Sequence, residues 1–134
     1  MASVDIDRAL VQAFIAANFG LPIAHENLPY SPVSGTPYVE LRVLQNDTTP
    51  LNLAHTDQTD GVFRVILRYP VSSGAIAAKV KASEIFGTFR IGHRHCYGST
   101  CVTMTGHSRQ PGVAEDGWYK LIADVRYRAH LKRG

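Results

Sequence analysis

The chain opens with apolar residues at three- and four-residue spacing, which predicts an amphipathic helix over residues 5–18. Ser3 or Asp5 is a suitable N-terminal cap, because a side-chain oxygen there can accept hydrogen bonds from free backbone N–H groups. Gly20 and Pro22 are expected to end the helix. The stripe that faces the core consists of Ile6, Ala9, Leu10, Ala13, Phe14 and Ala17.

A second apolar stripe predicts a helix over residues 74–87. The stripe is rich in alanine, so the helix backbone can lie close to a sheet. Gly74 lies at the start of this helix, and Gly87 is expected to cap its C-terminus. The members of the stripe are Ala75, Ala78, Ala82, Ile85 and Phe86.

Alternation of apolar and polar residues predicts half-buried strands over 38–44, 62–69 and 118–128. Segments 89–96 and 100–107 are two further strand candidates. Helix and strands therefore come in the order helix, strands, helix, strands. This order favours an α+β fold, in which a mostly antiparallel sheet carries two helices packed on one face.

The outward positions of these strands combine basic and aliphatic residues, and we expect their exposed surface to be mostly positive. Arginine is enriched in protein interfaces and lysine is depleted, so the mixture suggests subunit contact or a surface that faces nucleic acid. A solvated sheet face is the alternative interpretation. The charged positions are Arg42, Arg64, Arg68, Lys120, Asp124, Arg126 and Arg128, and the aliphatic ones are Leu44, Val62, Ile66 and Ile122.

The segment 45–61 between the first two strands is polar throughout. It is predicted to be a long loop, unless a short strand forms around 51–55. Long loops in small domains are usually functional or mobile. The residues of this segment that we expect to contact a partner protein are Asn46, Asp47, His55, Asp57 and Asp60.

Length and charge narrow the class of protein. With 134 residues, the chain is expected to form one domain over 1–134. A net charge of +3 permits contact with nucleic acid without requiring it. The N-terminus lacks the basic and apolar regions of a signal peptide, and no run of about 18 apolar residues occurs. We therefore expect no membrane partner and a cytoplasmic place of assembly.

One segment holds most of the residues that could bind a metal or act as nucleophiles. His93 and His95 share a face of the predicted strand and Cys96 points the other way, so a zinc site here lacks a usual ligand spacing. Cys96 and Cys101 flank a natural turn, but in a reducing cytosol we expect two thiols rather than a disulfide. His107 and Ser108 are neighbours and form no nucleophile–base pair. We expect no metal, no cofactor and no catalysis.

Five ordered segments resemble the small bacteriophage tail-terminator-like proteins. An N-terminal amphipathic helix comes first, followed by residues 23–30, which read IAHENLPY. Residues 37–43 then read PYVELRV, and residues 61–65 read GVFRV and lead to Tyr69-Pro70. Last comes EDGWY at 115–119, followed by an alternating strand that ends at Ala129. Segments 93–101 and 45–61 depart from the resemblance.

The resemblance implies a structural role in the virion. Such proteins form a homo-oligomeric ring, commonly a hexamer, on the head-proximal end of a growing tail tube. The ring stops polymerisation of the tube and offers a surface to the head–tail connector protein. The implied partners are further copies of the chain, the tail tube protein and the connector. A positive lumen could also contact passing DNA, and segment 45–61 is predicted to become ordered against the tube.

Three other functions stay open at this stage. A different head–tail joining or tail completion protein would have a similar sequence pattern. A zinc or thiol enzyme would use His93, His95, Cys96 and Cys101, and a small nucleic-acid-binding domain would use Arg126, Arg128 and Lys132.

Overall fold

The computed structural model describes the backbone of residues 2–24, 31–32, 35–45, 49–50, 56–71, 74–98 and 100–132. Its elements in chain order are α1 (Ala2–Ala17), β1 (Ile23–Ala24), β2 (Tyr38–Gln45), β3 (Thr49–Pro50), β4 (Thr56–Pro70), α2 (Gly74–Thr88), β5 (Arg94–Tyr97), β6 (Thr100–Arg109), β7 (Val113–Glu115) and β8 (Trp118–Lys132). No helix in the described ranges is long and apolar enough to cross a membrane.

The two longest strands, β4 and β8, pair antiparallel along all of their 15 residues. They form the centre of an eight-stranded sheet with the order β1-β2-β4-β8-β6-β5, in which β3 pairs with β4 and β7 pairs with β8. Only the short β1 runs parallel to its neighbour among these strands. The predicted fold class, α+β with a mostly antiparallel sheet and two helices on one face, is confirmed.

One hydrophobic cluster joins both helices to the inward face of the sheet. The predicted stripe of α1 supplies Ile6, Leu10 and Phe14, and the alanine stripe of α2 supplies Ala78 and Ala82, all of them buried. Small side chains on α2 let its backbone approach the sheet. The strands contribute alternate residues, which are Val39 and Leu41 from β2, Phe63, Val65, Leu67 and Tyr69 from β4, Val102 and Met104 from β6, and Leu121, Ala123, Val125, Tyr127 and Ala129 from β8.

The helix ends differ from their predictions. The first helix begins at Ala2, so Ser3 and Asp5 lie inside it rather than at its cap. The second continues through Gly87 to Thr88, and the Phe89 N–H still donates to the Ile85 carbonyl. Helical hydrogen bonding therefore extends past the glycine that was expected to stop it.

Several strand boundaries also differ from their predictions, and the strand predicted over 118–128 runs on to Lys132. The strand predicted over 62–69 begins at Thr56, because the polar residues before Val62 pair with the C-terminal half of β8. The strand predicted over 89–96 begins only at Arg94, because Phe89 packs into the core at the end of α2. The short strand considered for 51–55 lies outside the described residues.

Candidate interaction surface

The outward face of the sheet carries the charged residues that the sequence pattern placed together. We call it the open face, because both helices pack on the opposite side. Its residues alternate with core residues in β2, β4 and β8, and the strand register puts them in rows across the sheet. All six predicted interface or lumen candidates lie in this register, namely Arg42, Arg64, Arg68, Lys120, Arg126 and Arg128.

The centre of the open face holds a two-bonded ion pair. Arg64 Nε and Nη2 donate to the two carboxylate oxygens of Asp124 at 2.9 and 3.0 Å. The two residues lie directly opposite each other on β4 and β8. Hydrogen bonding to Asp124 raises the pKa of Arg64. Such a pair holds both charges in one orientation, as planar arginine–carboxylate geometry favours.

A second charge cluster surrounds Glu40. Arg68 Nε donates to Glu40 Oε1 at 2.7 Å, and Arg42 lies 3.7 Å from the other oxygen of the same carboxylate. Glu115 lies 3.7 Å from Arg68 on its other side. Burial alone lowers the pKa of Arg68, but the hydrogen bond and charge of Glu40 outweigh it, so the pKa is raised.

The remaining basic residues differ in their partners. Arg128 donates to Asp60 at 3.1 Å. Arg126 lies across the backbone of Gly106, where any side chain on that glycine would collide with the guanidinium. Within the described ranges, neither Arg126 nor Lys120 forms an ion pair. Four of the six basic residues are paired with carboxylates, so part of the positive charge of this face is neutralised within the subunit.

Aliphatic residues separate these charged rows. Ile66 lies opposite Ile122, and Val62 lies opposite Leu44. Although Ile66 points away from the helices, only 7% of its surface is exposed, because neighbouring side chains of the open face cover it. The aliphatic rows are the apolar part of this face, and its ion pairs are already formed within the subunit.

One end of the open face is aromatic and grooved. Trp118 packs edge-on against Tyr38, with the ring centroids 5.2 Å apart. Next to this pair lies a groove of about 630 Å³, whose lining includes Pro32, Pro70 and Asp116. None of these residues was predicted from the sequence to belong to a site. Their only signal in the sequence was their type, since the lining combines prolines and glycines from several segments with the one tryptophan of the chain.

The contact candidates of segment 45–61 are only partly described. Asn46, Asp47 and His55 lie outside the described residues. Asp57 lies in β4, opposite Pro50 and Leu131, and nothing further is described of its side chain. Asp60 also lies in a strand and not in a loop, and it holds Arg128.

The histidine and cysteine segment contains a disulfide. Cys96 and Cys101 oppose each other on β5 and β6 and are bonded, so the expectation of two thiols was wrong. The antiparallel register brings their Cα atoms to 4.1 Å, which leaves the sulfurs within bonding reach. This bond removes both sulfurs from the proposed zinc or thiol chemistry. No group of three possible metal ligands occurs among the described residues.

The histidines of this segment pack against aromatic rings. His95 lies 4.9 Å from the rings of both Phe89 and His93, and His107 stacks on Phe86 at 4.4 Å. Burial, and then the charge of His93, lower the pKa of His95. The Nε2 atoms of His95 and His107 are buried and have no hydrogen-bond partner in the described part of the chain. The arrangement therefore favours a neutral imidazole at His95.

The basic end considered for nucleic acid is only partly described. Arg126 and Arg128 point outward in β8, but Asp60 neutralises Arg128. Lys132 ends the strand, and its side chain is not described. A free-standing nucleic-acid-binding domain usually gathers its basic residues along one element.

Comparison with known proteins identifies the family. The family described as "Phage tail terminator protein" matches residues 5–127. Among solved structures 13 chains match, and one has a TM-score of 0.79 at 22% sequence identity, covering 100% of this chain and 99% of the other. That likeness shows a shared fold. No curated protein matches the chain. Since the family match spans nearly the whole sequence, the chain belongs to the phage tail terminator family.

Proposed function

We propose that the protein forms a ring that caps the phage tail tube, stops polymerisation of the tube and provides the surface to which the head connector binds. Family membership supports the tail-terminator role. The observation that carries the assembly part is the open face, where paired charges alternate with aliphatic rows on a sheet surface that neither helix covers.

A ring is a reasonable use of such a surface. Closed rings form through head-to-tail contacts, in which each subunit offers two different patches. The ion pairs of Arg64 and Arg68 are already made within one subunit, so a neighbour can cover them without leaving an unmatched charge. The aliphatic rows then supply the apolar area of the contact.

The other partners follow from the position of a ring at the head-proximal end of the tail. Segment 45–61 is the proposed contact with the tail tube, through Asn46, Asp47, His55, Asp57 and Asp60. Arg126 and Lys120, the basic side chains without a described carboxylate partner, are candidates for contact with DNA in the lumen. Such contact would be non-specific and would weaken with salt. The protein would act as a virion component without a cofactor and without catalysis.

The experiment is polymerisation of the tube protein from the same phage with increasing amounts of this protein, with tube length measured by electron microscopy. We expect tube length to fall as the protein is added, and light scattering to show a defined oligomer at tube ends or in solution. Tubes of unchanged length at saturating protein would contradict the proposal. Binding to connector-bearing heads without any effect on tubes would instead indicate a head–tail joining protein.

A matched pair of variants tests the role of the open face. Leu44 lies on that face and Ile15 on α1, and their exposed fractions are similar, 43% and 50%. We expect Leu44→Glu to abolish assembly and length control, whereas Ile15→Glu retains both. Equal behaviour of the two variants would mean that the open face is not the contact surface.

A further inference from the structure

The outward side of α2 is apolar where a surface helix is normally charged. Ile76 and Val80 lie one turn apart and are 78% and 54% exposed. Ser83 and Gly87 continue the same line along the helix, so no charge interrupts it. We call these four residues the α2 stripe. A helix that is apolar on both sides is usually covered on both sides.

The first helix provides a contrast. Val4 and Ile15 are also exposed on α1, but Arg8 lies between them on the same line and pairs with Asp5. Arg8 also lies over the Tyr97 ring of the same chain. The polar interruption makes the outward side of α1 an ordinary solvated surface. The α2 stripe is therefore the more pronounced apolar surface on the helix side of the protein.

The edge of the α2 stripe is basic. Lys79 is exposed and adjoins Ile76, and it forms no ion pair with any described residue. By contrast, Glu84 on the other edge is neutralised by Lys81 at 2.9 Å. Arg90, just beyond the helix, is likewise exposed and unpaired within the described ranges, and Ile91 next to it is 62% exposed.

The groove at the end of the open face has the opposite character. Its floor and walls include Trp118, Pro70 and Val71, and Asp116 lines the same space. The neighbouring Glu115 is paired with Arg68 at 3.7 Å, so Asp116 is the carboxylate at the groove that forms no ion pair among the described residues. Apolar side chains flanked by this carboxylate form a surface suited to an apolar segment with a basic edge. We call this the Trp118 groove.

We propose that the α2 stripe of one copy docks in the Trp118 groove of the next copy, with Lys79 facing Asp116. The inference rests on the proposed ring and says what meets the grooved end of the open face, so that this contact continues the one proposed for the rest of that face. The occupant is a second copy because one chain carries both halves, which have complementary charge. They also lie on opposite sides of the sheet: α2 packs on the inward face, while Trp118 and Pro70 occupy the outward register. Two different patches on opposite sides are what head-to-tail closure requires.

The test uses one variant for each half of the contact. Ile76→Asp with Val80→Asp breaks the stripe, and Val71→Arg fills the groove with a bulky cation that repels Lys79. All three residues are more than half exposed, so the fold should tolerate the changes. Ile15→Asp and Val4→Arg on α1 are matched controls of similar exposure. Circular dichroism and thermal unfolding check that each variant folds.

Mixing the two variants gives the decisive result. Each variant alone should be monomeric by light scattering, while the controls keep the mass of the wild-type oligomer. An equal mixture should form a one-to-one dimer and nothing larger, because only one intact stripe and one intact groove remain to pair. Wild-type mass in either variant, or no dimer in the mixture, would overturn the inference. If the wild type assembles only on tube ends, the same comparison is made there by counting copies per end.

The outcome separates this inference from the proposed function. If the wild type limits tube length and both variants still do so with the wild-type number of copies, the ring stands and this contact is wrong. If the wild type neither assembles nor limits tube length, the proposed function fails, and the inference fails with it.

Discussion

The two faces of the sheet are made by the same strands, but one is apolar and covered by the helices, whereas the other carries paired charges. In β4, Phe63, Val65 and Leu67 point inward and are fully buried, while Arg64 and Arg68 alternate with them and point outward. The inward side chains meet both helices in one apolar cluster. The outward ones are held by carboxylates on neighbouring strands.

The difference shows how a sheet can fold before it assembles. Apolar burial stabilises the inward face without a partner, because the helices of the same chain cover it. Charges can be buried at modest cost only when they are paired and hydrogen-bonded. With its pairs already formed, the open face stays hydrated in the single subunit and can still be covered later. Changes on the inward face should therefore affect folding, and those on the open face assembly.

The largest effect is expected at the centre of the inward face. Phe63 is fully buried and its ring lies 5.3 Å from Phe89 and 6.3 Å from Phe14. Phe63→Ala should lower the free energy of unfolding by about 3–5 kcal/mol, because it leaves a cavity among these rings. Urea denaturation measures it. The neighbouring Val62→Ala, on the open face, should cost about 1 kcal/mol or less; equal costs would remove the distinction between the faces.

An intermediate effect is expected where the open face is most buried. Asp124→Ala removes both acceptors of Arg64, and should cost about 1–3 kcal/mol, because a largely covered guanidinium loses its partner. Replacing both residues with leucine should recover most of this loss in urea denaturation. A double variant as unstable as the single one would mean that Arg64 and Asp124 stabilise the fold by more than bonding to each other.

His95, at the edge of the inward face, is expected to make the stability of the fold depend on pH. Burial lowers the pKa of His95 below its ordinary value of 6.5, so the unfolded chain takes up the proton first as pH falls. Stability from this site is complete above about pH 6.5 and declines below it. In thermal unfolding, His95→Gln should therefore lose less stability than the wild type between neutral and mildly acidic pH. Identical pH profiles would show that His95 is not held neutral.

The smallest effect is expected at the exposed end of the open face. The Arg128–Asp60 pair is about half exposed on both sides, so Asp60→Asn should change the free energy of unfolding by less than about 1 kcal/mol, and less still in high salt. If Asp60 contacts the tail tube, length control should be lost while unfolding stays unchanged. A large loss of stability would place Asp60 among the folding residues instead.

The local pattern of the chain was sufficient for much of this architecture. Alternation over 38–44, 62–69 and 118–128 identified both the core residues and the outward set, because side chains of a strand point alternately to its two faces. Spacing in the two helices likewise identified the stripes that meet the sheet. These are short-range properties, and each can be read without knowing which elements are neighbours. The family resemblance added the role that the pattern could not supply.

Only the tertiary structure decided which side chains of different strands are in contact. The Cys96–Cys101 bond, the partners of Arg64 and Arg68, and the Trp118 groove all depend on strand register or on segments far apart in sequence. Polar residues from Thr56 onward became strand because β8 pairs with them, although their own sequence reads as a loop. Alternation specifies which face a side chain occupies, whereas its partner on that face is set by long-range pairing, and this is why the ion pairs of the open face could not be predicted from the sequence.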